Sequence, residues 1–392
     1  MYPSIANELN GLFIHHQVSE LVKQGCNIRV ISAIPWVPFP LIFLSKKWLK
    51  YSKVPKRSFL EGVEVYYPRY LAFPRSLFFK SSGFRMFLGI KNLIEKIYES
   101  FKFDLIHVHV SLPDGYAGMR IAAKYKKPLI LNIHGQDFQR IIFKNRRCRE
   151  KVRQVTHFSR KTICVSSKLK NIGEQLLKID KNKLIVINNG IDLNIITRCY
   201  DRKIYDEYKD KRLLLSISNL INIKGIDYNI RAMARLLKKH HNLIYFIIGD
   251  GKERYSLEKL AKDLNINSNV KFLGYLGYRK TMEYISICDV FSLPSWEEGF
   301  GVVYLEAMAH GKPVIACKDQ GISDIIKDGE NGLLIKPKNV EMLVEAIDFL
   351  ISNPKKAQKI GDRGRKMVLN NYTWEKNVQK TIKIYNEVLG SN

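Results

Sequence analysis

The sequence predicts an α/β protein built from two doubly wound, Rossmann-like domains. Three observations predict it. Short runs rich in Ile and Val alternate with amphipathic stretches, the pattern of parallel strands joined by crossover helices. The pattern runs through twice, and between the two series lies NNGIDLNIITRCYDRKIYDEYKD, rich in turn residues at its start and polar afterwards. At 392 residues and 46% hydrophobic content, the chain is long enough to bury two cores.

The first series of expected strands is Asn27–Ser32, Leu105–His109, Leu129–Ile133, Thr162–Val165 and Leu184–Ile187. The second is Leu213–Ile217, Leu243–Ile248, Val270–Leu273, Val290–Leu293, Val314–Ala316 and Leu333–Ile335, with helical patterns such as Tyr228–Lys239 and Tyr255–Leu264 between them. These runs set an N-terminal domain at residues 1–190, a linker at 191–210 and a C-terminal domain at 211–365. The domains are expected to face each other across a cleft, with ligands held at the carboxyl ends of the strands. A doubly wound domain should open with a strand, yet the chain begins in the loop Tyr2-Pro3-Ser4. The first strand is therefore expected to be missing, or the true start to lie upstream of Met1.

The formal charge is +28, and 33 Lys and Arg against 12 Asp and Glu before residue 191 place about +21 of it in the first half. So basic a half points to an anionic partner: nucleic acid, an anionic membrane surface or phosphorylated ligands. Nucleic acid is disfavoured, because no RNP-like sequence, zinc knuckle or recognition-helix pattern occurs. The six cysteines, Cys199 among them, are scattered without C-x-x-C spacing or a histidine cluster. That excludes a readable zinc site or disulfide framework and fits a reducing compartment. The start MYPSIANELNGLF has no basic region ahead of an apolar core, and no run approaches the ~20 apolar residues that a membrane span needs. A soluble or peripheral protein is expected.

The chemistry concentrates in EEGFGVVYLEAMAHGKPVIA, Glu297 to Ala316. Leu293 to Ser295 end a strand, Gly299-Phe300-Gly301 turn the chain, and VVYLEAMAHG reads as a helix closed by Gly311 with Pro313 beyond it. The backbone N–H groups of Gly301, Val302 and Val303 then face the loop, as a phosphate site requires. Gly299 and Gly301 let a ligand approach the backbone closely. Glu306 has the reach to accept hydrogen bonds from a ribose diol, and Glu298 sits on the loop, near where a transferred sugar would lie. Taken singly, either glutamate is an ordinary acid stabilising a helix start.

The pattern E-G-F-G-x-V-x-L-E-A-M-A-x-G-x-P-V-I-A resembles the donor-binding signature of the retaining glycosyltransferases of family 4, the glycosyl transferases group 1. The resemblance runs through most of the chain. It implies the two-domain GT-B fold and transfer of a hexose-type sugar from a nucleotide-diphosphate sugar. SISNLINIKGIDYNIRAMARL resembles the family's Arg-x-x-x-x-Lys-Gly element, which grips the diphosphate. Lys224 and Gly225 match it, whereas Asn219, a hydrogen-bond donor without charge, stands in the arginine's place. IIGDGKERYSLEKLA resembles the strand that ends beside the nucleotide, here at Gly249 and Gly251, and KFLGYL the loop that meets the base, with Tyr275 and Leu276. Where the family often has Gly-Gly-x-x-Glu, this chain has Gln320-Gly321-Ile322-Ser323-Asp324.

In the first half, LILNIHGQDF resembles the family's His-Gly-x-Asp, which implies His134 against the sugar and diphosphate, with Asp137 on the acceptor side. DLIHVHVSLPDG adds His109 as an acceptor-side residue; His107 and His109 share a strand face but have no third ligand nearby in sequence and are not read as metal ligands. ANELNGLFIHHQV resembles the loop after the family's first strand, with Asn10-Gly11 for a glycine pair, so Gly11 lets backbone approach the donor. The last stretch, 366–392, resembles the closing helix that crosses back onto the N-terminal domain.

The resemblance further implies catalysis without cofactor or metal, and no Asp-x-Asp is present to hold one. In a front-face reaction the acceptor passes its proton to the leaving phosphate. The catalytic roles then fall on His134 and Glu298 as positioning and charge-stabilising groups, with Lys224 and the helix start aimed at the diphosphate. A sugar-nucleotide epimerase or a sucrose-type synthase would use a similar diphosphate site. PWVPFPLIFLSKKWLKYSKVPKR and SLFFKSSGFRMFLGIKNLIEKIY interleave aromatics, Leu and Lys, as segments lying in a lipid interface do. With the charge asymmetry, the expectation is a cytoplasmic enzyme held peripherally on the anionic inner face of the plasma membrane. Its acceptor would be a lipid-linked glycan of an envelope polysaccharide.

Overall fold

The computed structural model describes residues 2–8, 10–73, 77–193 and 202–390. Cys199 and residues 194–201 of the expected linker lie outside them. The chain forms two compact units, Met1–Asn189 with Trp374–Asn392, and Gly190–Thr373.

In the first unit, β1 (Arg29–Ile31), β2 (Ile34–Trp36), β3 (Arg57–Leu60), β4 (Val63–Tyr66) and β5 (Arg69–Leu71) precede the helix Ser82–Ser100. After it come β6 (Ile106–His109), β7 (Leu129–Ile133), β8 (Lys161–Cys164) and β9 (Leu184–Val186). Strands β6-β7-β8-β9 form one parallel sheet. β7 is buried along its whole length, which is why it reads as an unbroken apolar run. β1 pairs in parallel with β4, and β3 joins β4 as a hairpin whose turn, Glu61-Gly62, has both residues at positive φ (49° and 80°). β2 pairs with β5. These short strands, β2 to β5, occupy stretches that the sequence reading left without strands.

The second unit carries a six-stranded parallel sheet: β10 (Arg212–Ile217), β11 (Leu243–Ile248), β12 (Val270–Gly274), β13 (Val290–Ser292), β14 (Val314–Cys317) and β15 (Leu333–Ile335), in the order β12-β11-β10-β13-β14-β15. The chain builds outward from β10 to β12, then returns to the other side of β10 with β13. The strand order reverses there, and in open α/β sheets such a reversal is where ligands are held at the carboxyl ends of the strands.

Two expected boundaries move. The linker holds a helix, Arg202–Tyr208, whose Ile204 is buried and whose Tyr208 ring packs edge-on against Phe246 of β11, 5.0 Å between centroids. The closing helix starts at Trp374, not at 366, because residues 354–371 form a separate helix of the second unit. Trp374–Leu389 packs on the first unit through Ile384, Tyr385 and Val388 against Ile130, Ile163 and Ile187. Gln17 Nε2 also donates to Asn377 Oδ1 at 2.7 Å. Among the described residues, no helix is long and apolar enough to cross a membrane.

Candidate active site

The crevice of the second unit depends on contacts that only glycine permits. A Cβ on Gly249 (φ 125°) would lie 1.9 Å from the carbonyl oxygen of Ser218, so the ends of β10 and β11 meet main chain to main chain. On the other side, Trp296 N donates to Ile223 O at 3.1 Å and Ser295 Oγ to the same oxygen at 3.1 Å. These bonds fasten the loop after β13 to the loop after β10 and bring their side chains together. Lys224 Nζ consequently donates to Glu298 Oε2 at 2.5 Å, the two side chains being 16% and 15% exposed.

The pair abuts a helix start. A Cβ on Gly301 would come within 3.2 Å of Glu298 Cγ. Gly301 is the N-cap of the helix Val302–Ala309, in the left-handed region (φ 88°) and without a side-chain cap. The N–H groups of Val302 and Val303 lie in its first turn and have no acceptor within the helix. Phe300 is buried and anchors the turn. An ammonium and the positive end of a helix therefore meet at one place, as an anion site requires. The sequence reading had set Lys224 on the diphosphate and Glu298 beside the sugar; the structure pairs them with each other.

Further along this helix, Glu306 Oε1 accepts from Tyr278 Oη at 2.7 Å. Burial pushes the Glu306 carboxyl up to about 7, although the Tyr278 bond works against the rise. Tyr275, largely exposed, donates from Oη to Asn219 Oδ1 at 2.9 Å; Leu276 beside it is half-buried. Gly251 follows Gly249 at the same crevice, with Leu220 N donating to Asp250 O between them at 2.9 Å.

In the first unit three imidazoles stack. The ring centroids of His107 and His109 are 4.6 Å apart, and those of His109 and His134 5.2 Å. His134 Nε2 lies 3.0 Å from His109 Nδ1 and 3.1 Å from Asn132 Nδ2. Its other nitrogen, Nδ1, is buried without a hydrogen-bond partner among the described residues. Phe13, in the first turn of the helix Leu12–Lys23, packs on the His134 ring at 4.9 Å and brings the N-cap Gly11 (φ 73°) to the same place.

Burial holds His134 down to about 3 and His107 to about 4, with the neighbouring imidazole adding to the effect at His134. His134 is therefore neutral at physiological pH and brings a hydrogen bond, not a charge. Asp137 is fully buried, its Oδ1 accepting from Ser111 N at 2.5 Å and Ser111 Oγ at 2.8 Å. It ties the segment after β7 to the segment after β6, while its Oδ2 is buried without a hydrogen-bond partner among the described residues. Among the described residues, no three or more His, Cys, Asp or Glu side chains are grouped to hold a metal ion.

Residues 11–195 match the family described as Glycosyltransferase Family 4, and residues 199–367 that described as Glycosyl transferases group 1. An uncharacterized glycosyltransferase of Methanocaldococcus jannaschii is 34% identical over 311 residues, which is 78% of this chain and 83% of that protein. The chain belongs to glycosyltransferase family 4. TuaC of Bacillus subtilis, a protein named for a glycosyltransferase step of teichuronic acid biosynthesis, is 27% identical to this family 4 chain over 352 residues, 88% and 86% of the two lengths. HepE of Anabaena, crystallised with UDP-glucose, has a TM-score of 0.74 to it at 19% identity, covering 96% of each chain. The fold is GT-B, with two parallel Rossmann-like sheets, and the enzyme is a nucleotide-sugar-dependent glycosyltransferase of a retaining family.

Two residues of this family 4 site escaped the sequence reading. Gln320 Oε1 accepts from Glu298 N at 3.0 Å and so orients the loop that carries Glu298. Tyr278 holds Glu306. Gln320 was visible as the departure from Gly-Gly-x-x-Glu, but nothing in the sequence links it to residue 298. Tyr278 had no local signal at all.

Proposed function

We propose that this enzyme moves a hexose from a UDP-sugar to a lipid-linked glycan at the inner, anionic face of the plasma membrane, during envelope polysaccharide synthesis. The observation that carries the proposal is the meeting of Lys224, Glu298 and the helix start at Gly301. A diphosphate entering there gives Lys224 a second anion and releases Glu298 to accept hydrogen bonds from the sugar. As the bond from C1 to the phosphate oxygen breaks, that oxygen gains charge, and Lys224 with the N–H groups of Val302 and Val303 stabilises it. The acceptor oxygen bonds to C1 from the same face and gives its proton to the leaving phosphate, so configuration is retained and no separate base is needed. Glu306 takes the ribose diol, and Asn219, Tyr275 and Leu276 border the base. His134 has Nδ1 to offer a sugar or phosphate oxygen.

UDP is favoured by the fold shared with HepE, and the envelope setting by the similarity to TuaC. The membrane part rests on the first unit. Trp36, Phe39, Phe43, Phe73 and Phe78 are exposed there, and the pairing of β2 with β5 sets Trp36 opposite exposed Leu71. Arg85 lies over the Phe73 ring at 4.9 Å, cations among aromatics as at a lipid headgroup level.

A thermal-shift screen against UDP-, GDP-, ADP- and dTDP-glucose, followed by a transfer assay, tests the donor. UDP-glucose is expected to raise Tm most, and turnover to yield UDP with a glycosylated lipid. No shift with any of the four overturns the donor assignment, and a rearranged sugar nucleotide makes the enzyme an epimerase. The protein is expected to sediment with phosphatidylglycerol vesicles at physiological salt; failure to do so removes the membrane from the proposal.

A further inference from the structure

Where the helix Ile226–Leu236 lies on the sheet of the second unit, the packing encloses a polar cluster. Ser216 of β10, Tyr245 of β11, Ser292 of β13 and Asn229 of the helix are all fully buried. Asn229 Nδ2 lies 3.0 Å from Ser216 Oγ, 3.0 Å from Tyr245 Oη and 3.1 Å from Ser292 O, and Asn229 Oδ1 accepts from Ser292 Oγ at 2.8 Å. Ser216 Oγ donates to Ser292 O and lies 2.7 Å from Tyr245 Oη, so each polar atom of the four side chains has a partner. Apolar side chains of the same shape would fill this space at little cost, and stability alone does not call for the cluster. A fully satisfied buried network instead selects one seating of the helix on its strands.

We infer that Asn229 is a positioning residue for sugar transfer, fixing the seat of this helix on β10, β11 and β13 and, through it, the reach of Lys224 to Glu298 and the donor diphosphate. The N-cap of the helix is Gly225 (φ 69°), directly after Lys224 and about one turn ahead of Asn229. A Cβ on Gly225 would come 2.5 Å from Pro294 O, so the helix start is pressed against the loop that leads from β13 to Glu298. Tyr228, beside Asn229, meets Trp296 of that loop edge-on, 5.7 Å between ring centroids. Asn229 thus holds, from within the core, the two segments whose side chains form the ion pair. A shift of about 1 Å at Asn229 passes along a rigid helix to Lys224, and a misplacement of that size at a reacting centre lowers rates by up to about 100-fold. The part that concerns the donor rests on the function proposed above; the tie between the two loops stands without it.

The test replaces the cluster by apolar groups of like shape, Asn229→Leu with Ser216→Ala, Tyr245→Phe and Ser292→Ala, and compares it with Ser292→Ala alone, which removes one bond to Asn229 and keeps the fold within reach if the fourfold variant fails to fold. Amide exchange without ligand is expected to quicken about tenfold at Trp296, which donates to Ile223 O, and to hold within about twofold at Lys318, which donates to Ile335 O elsewhere in the same unit. In the transfer assay kcat/KM should fall about tenfold, less for Ser292→Ala, and the same change in a Lys224→Ala background should cost no more than about twofold, because Asn229 acts through Lys224. Exchange that quickens equally at Trp296 and Lys318 would make the cluster a part of general stability and overturns the inference. Equal losses of kcat/KM in both backgrounds overturn it too, as does an unchanged rate at Trp296. Loss of the exchange effect sinks the tie between the loops, whereas failure of UDP to bind the parent enzyme sinks the donor reading alone.

Discussion

Lys224 Nζ and Glu298 Oε2, on residues 74 positions apart in the chain, lie 2.5 Å from each other beside the start of the helix Val302–Ala309. In the proposed reaction the donor diphosphate competes with this carboxylate for the ammonium, so binding and chemistry are expected to fall on different members of one ion pair.

The two substitutions should differ in kind. Lys224→Ala removes the cation and is expected to raise the donor KM and lower kcat, with kcat/KM falling by about 100-fold or more. Glu298→Ala frees the cation, so donor affinity is expected to hold or tighten while kcat falls by a similar factor. Steady-state kinetics with circular dichroism to confirm folding reads both. Equal losses of donor affinity in the two variants would refute the competition.

Glu306 is expected to make donor binding depend on pH. Its carboxyl, raised to about 7 by burial, is largely protonated at pH 6 and ionised at pH 8. Only the ionised form accepts from both hydroxyls of a ribose diol, so affinity should increase as pH rises through 7 and level off above it. In Glu306→Gln the dependence should shrink to that of the UDP terminal phosphate, whose own second ionisation lies at about pH 6. Isothermal titration with UDP at pH 6, 7 and 8 measures it, and an unchanged slope in the variant would exclude Glu306 from the ribose.

His134 should leave no trace in the pH–rate profile above pH 5, because burial holds it at about 3. His134→Ala is nonetheless expected to lower kcat by about 100-fold, through a lost hydrogen bond. A histidine resonance for residue 134 titrating near 6.5 in an NMR series would contradict the neutral assignment.

Gly249→Ala tests the crevice floor. The added Cβ would fall 1.9 Å from Ser218 O at a φ of 125°, where alanine is strained in any case. Urea unfolding should show a loss of about 2–4 kcal/mol. A variant as stable as the parent would mean that the β10 and β11 loops separate freely.

The parallel strands were legible because burial on both faces leaves a continuous Val, Ile and Leu run, as in Leu129–Ile133 and Leu243–Ile248. The helix Val302–Ala309 was legible from its flanking glycines. What the sequence could not carry were relations between elements. The Lys224–Glu298 pair depends on Trp296 bonding to Ile223, and the neutrality of His134 on Phe13 and His109 arriving from two other segments. Asp137 looked like a ligand-facing acid because burial of a loop carboxyl leaves no mark in the chain. The boundary at Trp374 was hidden because two helices follow each other with only two residues between them, and their periodicities read as one.

The return of Trp374–Leu389 to the first unit also sets an order of events during synthesis. The second unit is one contiguous stretch and can fold as soon as it leaves the ribosome, whereas Ile130, Ile163 and Ile187 wait for Ile384, Tyr385 and Val388. At ~5–20 residues per second, the earlier-made half stands with that face bare for about 10–40 s. Chaperone engagement should concentrate in this interval, and a stop codon placed after Thr373 should yield a nascent product that aggregates although its second unit is intact.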